Sequence, residues 1–159
     1  MAANLNVQES LWFEDFETGQ IQKTTGRTVT EADLVNFAGI SGDFNAIHLD
    51  AEFSKQGPFG RRVAYGLLVM SIASGLLVQA GMVQGLQGGF REIKNWKFMK
   101  PVFIGDTIHV EYEITEIRPV PRSGGGLIVL VQRIINQRQE TVMKGSWTAF
   151  VLNKPMEKP

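Results

Sequence analysis

The sequence predicts one α+β domain, a long central apolar helix wrapped by a curved antiparallel β-sheet, and three observations predict it. The chain has 159 residues and 43% hydrophobic content, the size and composition of a single globular core. Its strand-like segments cluster after its helical ones, with no alternating βαβ pattern. One stretch, residues 63–81, is apolar nearly all round. A helix of that kind must be covered on every side, which a strongly curved sheet would do.

Taken in order, the chain opens without a basic region leading into an apolar one, so its start does not read as a secretory signal. Residues 1–10 are expected to form a mobile tail. From Gln20 to Val29 the segment is rich in Thr and β-branched residues and suits a strand at a sheet edge. Thr30 then caps a short amphipathic helix. Glu31 and Asp33 favour its positive end, Leu34, Phe37 and Ala38 share one face, and Gly42 stops it. Residues 41–50 read as polar and irregular, and residues 51–62 as a long loop punctuated by Pro and Gly.

The apolar stretch 63–81 approaches the roughly 20 residues that span a bilayer. Tyr65, Ser71, Ser74 and Gln79 interrupt it, however, and a lone span would leave the later strands without a core. A buried helix, and no membrane, is the expectation. The glycines of residues 82–90 mark a loop, and three β segments follow. In the first, Ile108, Val110, Tyr112 and Ile114 alternate with Thr107, His109, Glu111 and Glu113, as in a half-exposed strand that leaves His109 on its wet face. The second, residues 126–136, is more continuously apolar and reads as covered on both faces. Residues 142–152 supply the third. The run 121–126 should form the hairpin connection; its glycines lack the Lys-Ser/Thr of a phosphate loop.

Composition excludes several functions. Sixteen basic residues balance sixteen acidic ones, so no net field favours nucleic acid or an anionic membrane. The absence of cysteine removes disulfides, thiolate metal sites and a cysteine nucleophile. It is compatible with a reducing cytoplasm, the expected location. With only two histidines, a multi-histidine metal site is not expected. Trp12, Trp96 and Trp147 read as core or interface anchors, and Arg61, Arg62 and Lys100 as ordinary surface charge unless they meet a phosphate.

The segment Ser41-Gly42-Asp43-Phe44-Asn45-Ala46-Ile47-His48-Leu49-Asp50 carries the chemistry. An acid and an imidazole five positions apart on irregular chain can converge on one water. A carboxylate accepts its proton, and histidine titrates near neutrality, so together they can move protons on and off it. Asp-x4-His alone is a weak pattern, because loop Asp and His also cap turns. Its setting, behind an amphipathic helix and ahead of a Pro/Gly loop and a buried helix, sharpens it.

That arrangement resembles the hydratase motif of the MaoC-like and (R)-specific enoyl-CoA hydratase family. The likeness extends through Gly66-Leu67-Leu68, Ser74-Gly75-Leu76-Leu77 and Phe98-Met99-Lys100-Pro101-Val102 to Gly105-Asp106-Thr107. It implies a hot-dog fold over residues 11–153, with 154–159 as a C-terminal tail. It also implies homodimers, singly or as dimers of dimers or trimers of dimers, with an acyl-CoA tunnel near the subunit interface. The implied reaction is reversible hydration of a trans-2-enoyl-CoA to a (3R)-hydroxyacyl-CoA, without metal or redox cofactor, coenzyme A being part of the substrate. Asp43 and His48 would be the catalytic pair. The backbone N–H of Gly66 would polarise the thioester carbonyl, and Asn45, Tyr65 and Ser74 would orient substrate or water.

Two positions depart from the family pattern. Ala64-Tyr65-Gly66 replaces the usual Ala-His-Gly, and Ala46 stands where proline often follows the Asn. Tyr65 therefore bears on tunnel shape and substrate choice. Two rival readings remain open at this point: a hot-dog acyl-CoA thioesterase, and a non-catalytic acyl-CoA binding subunit.

Overall fold

The computed structural model describes residues 11–81 and 89–155. The expected N-terminal tail and most of the glycine-rich loop after the long helix lie outside these residues. The described elements are β1 (Ile21–Lys23), β2 (Arg27–Thr28), α1 (Glu31–Ser41), α2 (Ala46–Leu49), α3 (Ala51–Lys55), α4 (Gly66–Gln79), β3 (Phe90–Phe98), β4 (Thr107–Val120), β5 (Gly125–Asn136) and β6 (Thr141–Leu152). The six strands form one antiparallel sheet in the order β1-β4-β5-β6-β3, with β2 also on β4. This is the expected α+β hot-dog arrangement.

The sheet builds the core by alternation. Ile108, Val110, Tyr112 and Ile114 of β4 face inward, registered against Asn136, Ile134, Gln132 and Leu130 of β5. Against this surface α4 lays Leu68, Val69, Ile72, Ala73, Leu76 and Leu77, all buried. Burying a side chain of this size contributes about 1.5–3 kcal/mol before entropy is subtracted.

Coverage of α4 is less complete than its sequence suggests. Leu67 is 58% exposed and Val78 38% exposed, because the sheet and α1 cover only part of the helix circumference. No helix among the described residues is long and apolar enough to cross a membrane. Similarly, β5 is not covered on both faces, since Val131 is 45% exposed and Arg133 reaches the surface to pair with Glu111. His109 departs the other way. It is buried, with its Nε2 at 3.5 Å from Glu111.

The edge strands also differ from expectation. The segment 20–29 splits into β1 and β2 at Thr24, whose amide still donates to the Val110 carbonyl while its hydroxyl, in place of its carbonyl, accepts the Val110 amide. β3 is a fourth long strand where three were expected. Its alternation is broken by register shifts and by Asn95 at φ 53°.

At the start of β4 a polar network closes the turn. The Asp106 carboxylate accepts from the Phe103 amide, Gln137 and Arg138. Glu140 accepts from Asn136, Arg138 and Lys100. Burial alone would raise the Asp106 carboxyl, but its hydrogen bonds and Arg138 together hold it below its ordinary value. Hydrogen bonds from Asn136, Lys100 and Arg138 hold Glu140 at about 2. The Gly105-Asp106-Thr107 motif is thus a structural turn.

Candidate active site

The site begins where α1 ends. The Thr30 hydroxyl accepts the Asp33 amide while the Asp33 side chain accepts the Thr30 amide, a capping box that starts the helix. Gly42, at φ 73°, ends it in the left-handed conformation that glycine adopts without penalty. The chain then turns sharply through Asp43. The Asp43 amide bonds the Ser41 hydroxyl, and one Asp43 carboxylate oxygen accepts the Asn45 amide at 3.1 Å.

Residues 46–55 are not irregular. Asn45 accepts the Ile47 amide and Asp50 accepts the Phe53 amide, and these two caps start α2 and α3. His48 therefore sits in a single helical turn, which sets its direction. Its Nδ1 lies 2.7 Å from the Val63 carbonyl oxygen. A carbonyl only accepts, so in the neutral ring Nδ1 carries the proton and Nε2 presents its lone pair. Among the described residues that Nε2 has no partner, and it is not sealed from solvent. The imidazole is thus held through one nitrogen and left open at the other.

Tyr65 connects the two segments. Its hydroxyl donates to the Asp43 backbone carbonyl at 2.7 Å, and its ring stacks on the His48 imidazole at 3.7 Å between centroids. Burial pushes the Tyr65 phenol up, and the negative charge of Asp43 pushes it further. Immediately after it, Gly66 begins α4. A helix N-terminus offers unpaired amides and a positive dipole end. A Cβ on Gly66 would fall 2.6 Å from the ring of exposed Phe98, so any side chain there would have to displace that ring.

Gly66 also lines an open groove of about 390 Å³, together with Ile47, Val63, Phe98 and Met143. Its charged lining residue is Lys100, which is paired with Glu140. A second groove of about 420 Å³ runs between α1 and α4 beside Phe37, Leu68 and Gly75.

Asp43, Asn45, His48, Tyr65 and Gly66 are therefore brought to one place. Ser74 is not joined to them by any contact among the described residues. It stands eight positions beyond Gly66, about 12 Å along the helix axis. Its half-buried hydroxyl makes no hydrogen bond among the described residues, whereas Ser71 bonds back to Leu67. Of the basic residues, Arg62 pairs with Glu31 and Arg61 lies over the Phe103 ring. The Val63 carbonyl, which sets the His48 tautomer, was not legible in the sequence because it acts through backbone. Phe37, at 5.1 Å from the Tyr65 ring, was legible only as a core position.

An arrangement with a carboxylate, an accepting imidazole nitrogen and a helix-start amide can hold water, move its proton and stabilise a nearby oxyanion. Comparison with known proteins identifies the family. The 3-hydroxybutyryl-CoA dehydratase of Methylorubrum extorquens is 36% identical over 112 residues, which is 70% of this chain and 69% of that protein. Protein MaoC of Klebsiella aerogenes is 41% identical over 99 residues, 62% of this chain. The match spans only 29% of that longer protein. Among solved structures, the monoamine oxidase regulatory protein of Archaeoglobus fulgius superposes with a TM-score of 0.83 at 35% identity, covering 92% of this chain and 97% of that one. The model of the MaoC like domain matches residues 15–127. This chain belongs to the MaoC-like domain family.

Proposed function

We propose that the protein reversibly adds water across the double bond of a trans-2-enoyl-CoA, giving a (3R)-hydroxyacyl-CoA. The observation that carries this reading is the His48 ring. It is held by Nδ1 on a backbone carbonyl, presents a free Nε2, and is joined through Tyr65 to the Asp43 turn. Family membership and a relative named as a dehydratase of a 3-hydroxyacyl-CoA support it.

In the forward direction Asp43 and His48 hold one water, and Asp43 is the principal base. As the water oxygen bonds to C3 of the enoyl group, its proton passes to the pair. The C2–C3 π electrons move towards the thioester, whose oxygen gains charge opposite the Gly66 N–H. A proton returned from the pair to C2 on the same face completes syn addition and leaves both groups in their starting states. Which of the two gives that proton belongs to the pair as a coupled unit. Asn45 holds the Asp43 carboxylate through its amide, and Tyr65 borders the reacting groups; Ser74, farther along α4, orients neither of them.

The active form is a homodimer, alone or within a larger assembly. The exposed edge strand β3, with Ile93 48% exposed, and the uncovered face of α4 support that reading. The chemistry is tested by mixing the protein with crotonyl-CoA and a longer enoyl-CoA, following enoyl-thioester absorbance and free thiol together. Loss of absorbance without thiol is the expected result. Thiol release would replace hydration with thioester hydrolysis, and silence in both would favour a binding subunit.

A further inference from the structure

We propose that Tyr65 is the positioning residue of this site, one side chain that fixes both the Asp43 turn and the His48 ring; the proposal rests on the hydratase reading. Tyr65 is the N-cap of α4, yet its side chain makes no capping hydrogen bond. It is 3% exposed and turned towards the two reacting residues instead.

The turn around Asp43 is held from within by short-range bonds. The Asp43 amide reaches Ser41, the Asn45 amide reaches Asp43, the Ile47 amide reaches Asn45, and the His48 amide reaches the Asn45 carbonyl. Among the described residues, the hydrogen bond that ties residues 43–45 to the rest of the fold is the one from the Tyr65 hydroxyl, across 22 positions. Without it, the exposed Asp43 turn would be anchored only by its neighbours in sequence.

The other half of the contact is the ring. His48 is fixed at one edge by the Val63 carbonyl, but a single hydrogen bond permits the imidazole to tilt about that contact. The stacked Tyr65 ring, 30° from parallel, blocks the tilt, and Phe37 backs it from α1 with its own ring inclined at 48°. A phenylalanine would fill this space equally well. The hydroxyl is what a mere filler would not require, because a buried O–H costs free energy unless it is bonded. Burial and the Asp43 charge keep the phenol protonated, so Tyr65 donates and does not act as a base. Displacement of a reacting group by about 1 Å can cost on the order of 10²-fold in rate. A tether on both members of the pair therefore acts on turnover more than on substrate affinity.

Two variants separate the two contacts. Tyr65→Phe keeps the stacked ring and loses the hydroxyl, whereas Tyr65→Leu loses both. For hydration of crotonyl-CoA, Tyr65→Phe is expected to lower kcat about tenfold with KM within about twofold, and Tyr65→Leu to lower kcat about tenfold more. Ring orientation is read independently of activity. The chain has two histidines, so a His109→Gln variant assigns the imidazole proton resonances. The His48 signal should stay near its wild-type position in Tyr65→Phe and move downfield in Tyr65→Leu as the ring current is lost.

The proposal is overturned if an active enzyme keeps its kcat in Tyr65→Phe, or if the loss falls on KM alone. It is equally overturned if the His48 resonance does not respond to Tyr65→Leu. Should Tyr65→Leu fail to fold, Tyr65→Phe still decides the hydroxyl's role. An inactive wild type would sink the hydratase reading by itself, and the His48 resonance would still decide whether Tyr65 sets the ring.

Discussion

Two polar clusters among the described residues each centre on carboxylates, and they are completed to different degrees. Around Asp106 and Glu140, each carboxylate collects three hydrogen bonds from neighbouring groups. Around Asp43 and His48, the carboxylate takes one amide and the imidazole one carbonyl, leaving Nε2 open. The first cluster uses its capacity to close a turn between strands. The second holds its members in place through backbone and ring contacts and keeps their reactive atoms free. An acid with all its partners present is a structural acid, whereas one that takes a single amide keeps lone pairs available for chemistry.

This comparison can be broken most forcefully at the open cluster. Asp43→Asn and His48→Ala should each lower turnover by about 10²- to 10⁴-fold, since each removes proton-transfer capacity. Asp43→Asn should melt close to wild type, because its exposed carboxylate takes a single amide, whereas His48→Ala strands the Val63 carbonyl and removes the ring stacked on Tyr65, so it should melt lower while remaining folded. The reverse pattern is expected at the closed cluster. Asp106→Ala strands the Phe103 amide and Gln137, and should cost about 3 kcal/mol in urea unfolding.

Acid sharpens the same contrast. Asp106 and Glu140 both have folded-state values below their ordinary ones, so the stability they contribute is present above the unfolded value. For Glu140 it is lost as pH falls from 4.5 towards about 2. Melting temperature should fall through that window, and Glu140→Gln should flatten the fall. The smallest expected effect lies in the core. The Gln132 amide is fully buried, and among the described residues neither its oxygen nor its nitrogen has a partner. Gln132→Met should raise stability by about 1 kcal/mol in the same urea titration, because an apolar side chain of similar length has no polar group to desolvate.

Much of the fold was legible where a local rule acts alone. Thr30 with Asp33 marked the start of α1, Gly42 its end, and the alternation from Ile108 to Ile114 the buried face of β4. The strand Phe90–Phe98 was not, because bulges and the positive φ of Asn95 destroy the period of two. The short helices α2 and α3 were hidden by polar composition, although their caps Asn45 and Asp50 were in view. His109 lay on the polar side of its pattern, yet β4 packs tightly enough on that side to bury it. At the site, Asp43 and His48 could be paired by spacing. Their link through Tyr65 could not, since it joins residues 22 and 17 positions apart by a hydroxyl and a ring face that only the folded chain brings together.

The central claim is addition of water by Asp43 and His48, and turnover of crotonyl-CoA in deuterium oxide, read by proton NMR, tests it most directly. The account predicts (3R)-3-hydroxybutyryl-CoA carrying one deuterium at C2, on the face that receives the hydroxyl, and its loss in Asp43→Asn. Free coenzyme A in place of that product, or an unchanged rate in folded Asp43→Asn, would contradict it.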